Sequence, residues 1–172
     1  MKQPKAIPDH YPVIALAGNP NVGKSTLFNS LTTGKKQHTG NWIGKTTANA
    51  WGICHSPARD YTLVDIPGTY SLSSRSAEEE VARDFICFGA HQAVVIVCDA
   101  TCLERNLNLV LQILEATDRT LVCVNLLDEA EKKNIKTDIT KLSQQLGIPV
   151  AATSARSKKG LDKLMQAIES VA

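Results

Sequence analysis

The sequence predicts an α/β fold: a six-stranded mixed sheet with one antiparallel edge strand and helices on both faces. Two observations carry that prediction. Short apolar runs alternate with stretches whose apolar residues recur at helical spacing, the pattern of strands joined by crossover helices. The second and third runs follow each other without room for a helix, so they form an antiparallel hairpin at one edge, while the remaining strands run parallel with right-handed crossovers. The strands expected are residues 12–17, 46–54, 60–65, 93–98, 120–124 and 149–153. Leu27, Phe28 and Leu31 give the first helix its apolar face. A second helix starts at Ser76, because Ser76-Ala77-Glu78-Glu79 fits a capping box. Leu103, Leu107, Val110, Leu111 and Leu114 mark a third helix, and Leu161, Leu164, Met165, Ile168 and Val171 mark one near the end.

Composition narrows the classes of function. A chain of 172 residues, 43% of them hydrophobic, suits one globular domain with a core of its own. Its 19 basic and 17 acidic residues leave a formal charge of +2, so no basic field favours nucleic-acid binding. The lysine pairs Lys35-Lys36, Lys132-Lys133 and Lys158-Lys159 read as solvated faces. The five cysteines (Cys54, Cys87, Cys98, Cys102 and Cys123) are odd in number, lack a C-x-x-C, and lie mostly in apolar runs. They read as reduced, buried thiols, and Cys98 with Cys102 has no second ligand pair to make a metal site. The opening MKQPKAIPDHYP has no apolar stretch and is not a signal peptide. The longest apolar runs, such as 93–98, are too short to span a bilayer, and a soluble chain is expected.

The stretch GNPNVGKS, residues 18–25, follows the first strand and opens the first helix. Gly18-x-x-x-x-Gly23-Lys24-Ser25 is the phosphate-loop pattern in the context that pattern requires. Glycines let the backbone wrap a phosphate, converging amides meet it, and the helix N-terminus adds positive potential. Residues Gly18, Asn19, Pro20, Asn21, Val22, Gly23, Lys24, Ser25 and Thr26 are therefore candidate nucleotide contacts. Lys24 reaches the outer phosphates, and the Ser25 hydroxyl ligates magnesium.

Three further motifs follow strands in the expected order. Asp65-Ile66-Pro67-Gly68 offers a carboxylate to hold magnesium through water and a Gly68 amide to approach a terminal phosphate. Asn125-Leu126-Leu127-Asp128 offers a carboxylate that accepts two hydrogen bonds from guanine, which adenine cannot donate. Leu126 stands where the usual motif has lysine, so base affinity is expected to be weaker. Ser154-Ala155-Arg156 matches the last motif, in which a backbone amide contacts the guanine oxygen. Together the four identify a guanine-nucleotide-binding domain of the P-loop GTPase (Ras-like) fold.

Beyond these motifs the chain resembles the cytoplasmic G domain of the FeoB family of bacterial ferrous iron transport proteins. The stretches that carry the resemblance are GNW at 40–42 with Gly44 and Thr46, DIPGTYSLS at 65–73, VARDF at 81–85, DATCLERNLNLVLQ at 99–112 and NLLDEAEKKNI at 125–135. GNPNVGKSTLFN would equally suit ribosome-assembly GTPases of the Era type, whereas the other stretches would not. The resemblance implies that Thr46 is the switch threonine touching magnesium and the terminal phosphate. Residues 34–45 would be the first switch and residues 66–76 the second, both ordered by the terminal phosphate. Many GTPases place a water-orienting glutamine where Thr69 stands, and no arginine finger is evident. The family is similar to GTPases that use potassium held by a phosphate-loop asparagine, the position of Asn21. Such a cation would replace part of an arginine finger's charge. The catalytic set implied is thus Lys24, Thr46, Gly68 and Asn21, with Ser25, Thr46 and Asp65 on magnesium and Asn21 on potassium. Ile43, Lys45 and Ala48 depart from the family's usual residues.

The expected organisation is an N-terminal extension at 1–11 and a G domain at 12–172, without the helical regulatory domain and membrane region that follow it in the family. The function expected is a switch that hydrolyses GTP to GDP and regulates or drives ferrous iron transport. Its partners would be GTP, GDP and a membrane transporter region in cis or on a separate chain, at the cytoplasmic face of a bacterial inner membrane, with no nucleic acid. Other readings left open are a ribosome-assembly GTPase, a nucleotide-gated binding module with negligible hydrolysis, and, on the phosphate loop alone, an ATPase.

Overall fold

The computed structural model describes residues 10–33, 38–41, 48–73 and 75–172, with the side chains of 38–41, 48 and 49 left aside. Strand β1 (Val13–Gly18) is buried along its whole length and lies at the centre of the sheet. Such two-sided burial is what a continuous apolar run dictates, because alternate side chains point to opposite faces. Helix α1 (Lys24–Leu31) follows, then β2 (His38–Asn41), β3 (Ala48–Cys54) and β4 (Tyr61–Asp65). Helix α2 (Ala77–Phe88) leads to β5 (Ala93–Asp99), α3 (Leu103–Ala116) and β6 (Thr120–Asn125). The chain ends with α4 (Leu127–Lys132), α5 (Ile139–Leu146), β7 (Val150–Ala152), a short 3-10 turn Ala155–Ser157 and α6 (Leu161–Val171).

The sheet order is β2-β3-β4-β1-β5-β6-β7. Strands β4, β1, β5, β6 and β7 are parallel, and β3 is antiparallel to both of its neighbours. All six expected strands are present and the α/β class stands. The addition is β2, which pairs His38 with Trp51 and Asn41 with Ala48, so among the described residues the sheet has seven strands and its antiparallel edge is β2, one strand beyond β3. The His-Thr-Gly-Asn run of β2 has no apolar period to announce it and owes its extended form to the ladder with β3. Expected strand residues 46 and 47 lie outside the described residues.

Two cores separate cleanly by register. Val13, Ala15, Ala17, Val94, Ile96, Val122 and Val124 face α2 and α3, where they meet Phe85, Ile86, Leu109, Val110 and Ile113. Ile14, Leu16, Leu63, Val95, Val97, Leu121 and Cys123 face α1 and α6, where they meet Leu27, Phe28, Leu164 and Ile168. Helices α4 and α5 were not singled out by apolar spacing; Ile139, Leu142 and Leu146 of α5 pack on the rim of the first core. Cys54, Cys98 and Cys123 are buried thiols and Cys87 is exposed. Burial pushes the Cys54 thiol up to about 11 and Cys123 up to about 12, which keeps both protonated. Among the described residues no group of three or more His, Cys, Asp or Glu side chains could hold a metal ion.

The serine half of the expected capping box forms at the start of α2, while the glutamate reaches one residue further back. The Ser76 hydroxyl accepts from the Glu79 amide at 3.2 Å, and the Glu79 carboxylate accepts from the Arg75 amide at 2.9 Å. Ser76→Ala is expected to lower unfolding stability by about 1 kcal/mol, since an exposed N-cap leaves one amide without its partner. Urea unfolding of the two chains measures it; equal midpoints would show that water replaces the cap.

Candidate functional site

Each nucleotide motif sits at the carboxyl end of a parallel strand: Gly18 on β1, Asp65 on β4, Asn125 on β6 and Ser154 just after β7. That edge is where an open parallel sheet leaves its crevice, because the crossover helices diverge there. A cleft of about 630 Å³ opens at this edge, lined by Asn19, Pro20, Asn21, Gly23, Lys24, Ser25, Thr26, Pro67, Gly68 and Glu78. The phosphate loop and the D-x-x-G segment are thus two walls of one cavity. Their separation in sequence is closed by the β1–β4 pairing, which sets Leu16 opposite Asp65.

The loop's backbone is shaped by its glycines. Gly23 has φ 81°, a left-handed conformation, and a Cβ there would lie 2.5 Å from the Asn125 amide nitrogen. Any side chain at Gly23 would therefore be strained and would collide with the side chain behind it. Asn21 also takes a left-handed φ of 67°, which asparagine tolerates better than most residues. Its side chain is exposed at the cleft, as are Ser25 and Thr26, while Val22 is buried and pins the loop into the second core.

Lys24 lies beside Asp65, its ammonium donating to that carboxylate and, at 2.7 Å, to the Ile66 carbonyl. Both side chains are about nine-tenths shielded from solvent, so the ion pair is held in a partly desolvated pocket. Ser25 lies in the first turn of α1 and lines the same cleft. A serine hydroxyl and a carboxylate are hard oxygen donors of the kind that suit magnesium, so this donor set fits that ion. Thr46 lies outside the described residues, as do 34–37 and 42–45 of the expected first switch.

The second-switch segment leaves β4 and runs along the loop. The Ile66 amide donates to Leu16 O at 3.2 Å and the Thr69 amide to Gly18 O at 3.1 Å. At Gly68 a Cβ would stand 3.2 Å from the Pro20 backbone, so the bare backbone comes close to the phosphate loop. Thr69 is buried, and its hydroxyl donates to Ser71 O at 2.6 Å while accepting from the Ser71 amide. That hydroxyl is committed within the protein, and the segment has no glutamine at this place.

On the other side of the loop, Asn125 is fully buried. Its amide nitrogen donates to Val22 O at 3.1 Å, and its oxygen accepts from Thr153 Oγ1 at 3.0 Å and the Ala155 amide at 3.1 Å. Leu126 has φ 63°, which turns the chain sharply into α4 and sets Asp128 beside Ser154, whose hydroxyl accepts from the Asp128 amide at 3.1 Å. The Ser154 and Ala155 amides are engaged with Lys159 O and Asn125 Oδ1, and Arg156 is exposed. The nucleotide motifs do not include Thr153 or Glu78. Thr153 sits one residue before a recognised triplet, and Glu78 falls inside the capping box of α2; neither position carries a spacing signal that points to the cleft.

Similarity to known proteins agrees with this geometry. The family profile described as ferrous iron transport protein B matches residues 12–168. The Fe(2+) transporter FeoB of Escherichia coli (strain K12) is 44% identical over 160 residues, and that of Salmonella typhimurium is 43% identical over the same length. Those alignments cover 91% of this chain and 21% of each relative, so the chain spans about a fifth of their length. Among solved structures, the G domain of the T. maritima FeoB iron transporter superposes with a TM-score of 0.86 at 40% identity, covering 94% of this chain and 99% of that one. The FeoB G domain from Methanococcus jannaschii gives 0.81 at 40% identity, with 94% and 96% covered. The cytosolic domain of T. maritima FeoB in a GDP form gives 0.88 at 40% identity, with 95% and 64% covered. The chain belongs to the ferrous iron transport protein B family, and its fold is that of a FeoB G domain of the P-loop GTPase type.

Proposed function

We propose that residues 12–172 act as a G domain that binds GTP and GDP, hydrolyses GTP to GDP and phosphate, and regulates or drives ferrous iron transport across a bacterial membrane. The observation that carries this reading is the convergence of Lys24, Ser25 and Gly68 on one cleft, with Asp65 paired to Lys24 and Asn125 tying the neighbouring base-recognition loop to the same backbone. Residues 1–11 would be an extension, and the membrane region would act in cis or as a separate chain. Among the described residues no helix is long and apolar enough to cross a membrane, which suits a domain on the cytoplasmic side.

The residues divide the chemistry among themselves. Amides of the phosphate loop at the N-terminus of α1 face the phosphate oxygens, and the Lys24 ammonium neutralises their charge. Ser25 and Asp65, together with Thr46, would hold magnesium, which would supply positive charge beside the outer phosphates. Gly68 offers its amide to the terminal phosphate at a point where any side chain would crowd Pro20. Asp128 accepts from the guanine edge, and the Asn125 network fixes that loop in place. With Thr69 turned inward, the chain has no side chain there to orient water, so a slow intrinsic rate follows. Asn21, exposed at the cleft, would hold potassium and supply part of the missing positive charge.

Steady-state GTP hydrolysis in potassium chloride and in sodium chloride at matched ionic strength tests the enzyme reading. Turnover stimulated by potassium and lost in Asn21→Ala is expected. Measurable turnover equal in both salts would reject the potassium site, and none in either would leave a nucleotide-gated binding module. Asp128→Asn should exchange guanine for xanthine preference in competition binding, since an amide donates where the carboxylate accepted; unchanged preference would remove Asp128 from the base site. Lys24→Ala should weaken GTP binding roughly tenfold to a hundredfold, the scale of a lost charged hydrogen bond. The same change in a complete transporter should abolish GTP-dependent iron uptake, and unaffected uptake would reject the regulatory role.

A further inference from the structure

Two of the sequence stretches distinctive of this chain, residues 65–73 and 99–112, are only partly explained by contact with nucleotide. The structure joins them. The Leu72 amide donates to the side-chain oxygen of Gln112 at 2.6 Å, across 40 residues of sequence. We infer that Gln112 is a positioning residue for the second switch: its hydrogen bond to Leu72 holds the segment that carries Gly68 against the phosphate loop. This rests on the hydrolysis reading above.

The two partners differ in how firmly they are built. Helix α3 is fixed by Leu109, Val110 and Ile113, all buried in the first core. Its start is tied down by Asn106, which accepts from the Asp99 amide at 2.7 Å, while Asp99 accepts from the Thr101 amide and hydroxyl at 2.7 and 2.8 Å. Gln112 precedes Ile113, so its side chain springs from a rigid base. Residues 66–73 belong to no helix or strand. They are held at one end by the Ile66 and Thr69 amides on β1 and the phosphate loop, and in the middle by the Thr69–Ser71 turn. Gln112 supplies a further attachment beyond that turn, and Leu72 packs its side chain on the same core. A segment held on both sides of Thr69 keeps the Gly68 backbone near Pro20, and loss of the Gln112 bond loosens its hold beyond Thr69, near where the terminal phosphate would be met. Only the acceptor oxygen of Gln112 matters to this bond, so glutamate can replace it and leucine, of similar size, cannot.

The test compares Gln112→Leu and Gln112→Glu with the unaltered 172-residue chain. Hydrogen exchange of residues 69–73 in the GDP-bound chain reads the attachment directly. Kinetics with GTP and magnesium read its consequence. Gln112→Leu is expected to speed Leu72 amide exchange by about tenfold, the scale of one lost hydrogen bond. It should lower kcat several-fold with KM, GDP affinity and melting temperature unchanged. Gln112→Glu should stay close to the unaltered chain in both readouts. Leu72 exchange that is the same in the leucine variant would overturn the proposal, and so would faster exchange with an unchanged kcat. Equal losses in the leucine and glutamate variants would assign the effect to packing and overturn it as well. An unaltered chain without turnover would overturn the hydrolysis reading and with it the positioning role, told apart from failure of the bond itself because the exchange contrast between the two variants would persist.

Discussion

The site depends first on the side-chain amide of Asn125. It is fully buried, and a buried amide must find partners for its donors and acceptor. Its partners are Val22 O in the phosphate loop after β1 and, in the loop after β7, the Thr153 hydroxyl and the Ala155 amide, so this side chain at the end of β6 joins the ends of three strands. Gly23 must lack a side chain because this amide stands where its Cβ would be. One of the loop's two glycines is therefore set by the base-recognition motif as well as by the phosphate. The bond from Thr153 extends the network to Cys123 of β6, whose sulfur lies 3.2 Å from the same hydroxyl. Removal of this one amide would unpair groups on both partner loops at once, which is the costly direction for buried hydrogen bonds.

The opposite wall is governed by charge. Lys24 and Asp65 neutralise each other in a pocket too shielded for either to be comfortable alone. Each is also the group that the phosphate chemistry requires, a cation for oxygens and a carboxylate for a hard metal. The near-neutral overall charge of +2 fits a protein whose electrostatics are local to this pocket rather than spread over a surface.

How much of this was legible in the sequence follows from where the information lies. Residues whose role is set by backbone geometry at a strand end announce themselves, because glycine, aspartate and asparagine are fixed there by short spacings. Gly18 through Ser25, Asp65, Asn125 and Ser154 were found that way and meet at one sheet edge. The strands of the centre were equally plain, since burial on both faces leaves unbroken apolar runs. Strand β2 was not, because four polar or small residues held only by an edge ladder have no period. Helix α4 has six residues and opens from a left-handed Leu126, too short for spacing to show. The Gln112–Leu72 bond and Glu78 at the cleft were invisible for another reason: each depends on a long-range approach that no local pattern encodes.

The end of the sheet opposite the cleft is fastened by contacts with α6. Strands β3 and β4 form a hairpin whose tip is fastened to α6: the Ser56 hydroxyl donates to Glu169, and the Arg59 guanidinium donates to Ala172 O at 3.4 Å while lying 5.3 Å over the Tyr61 ring. Cys54 adds a sulfur contact to Met165 at 3.6 Å. A hairpin anchored at its tip, with β4 paired to the central strand, can respond to a ligand chiefly at its open end, where Asp65 faces Lys24. The same strand pair connects the chain around Thr46 to the D-x-x-G segment. At that end Asp65 stands opposite Ala50 of β3 and Leu16 of β1, so the D-x-x-G segment leaves the ribbon from a residue held on both sides by the sheet and by Lys24.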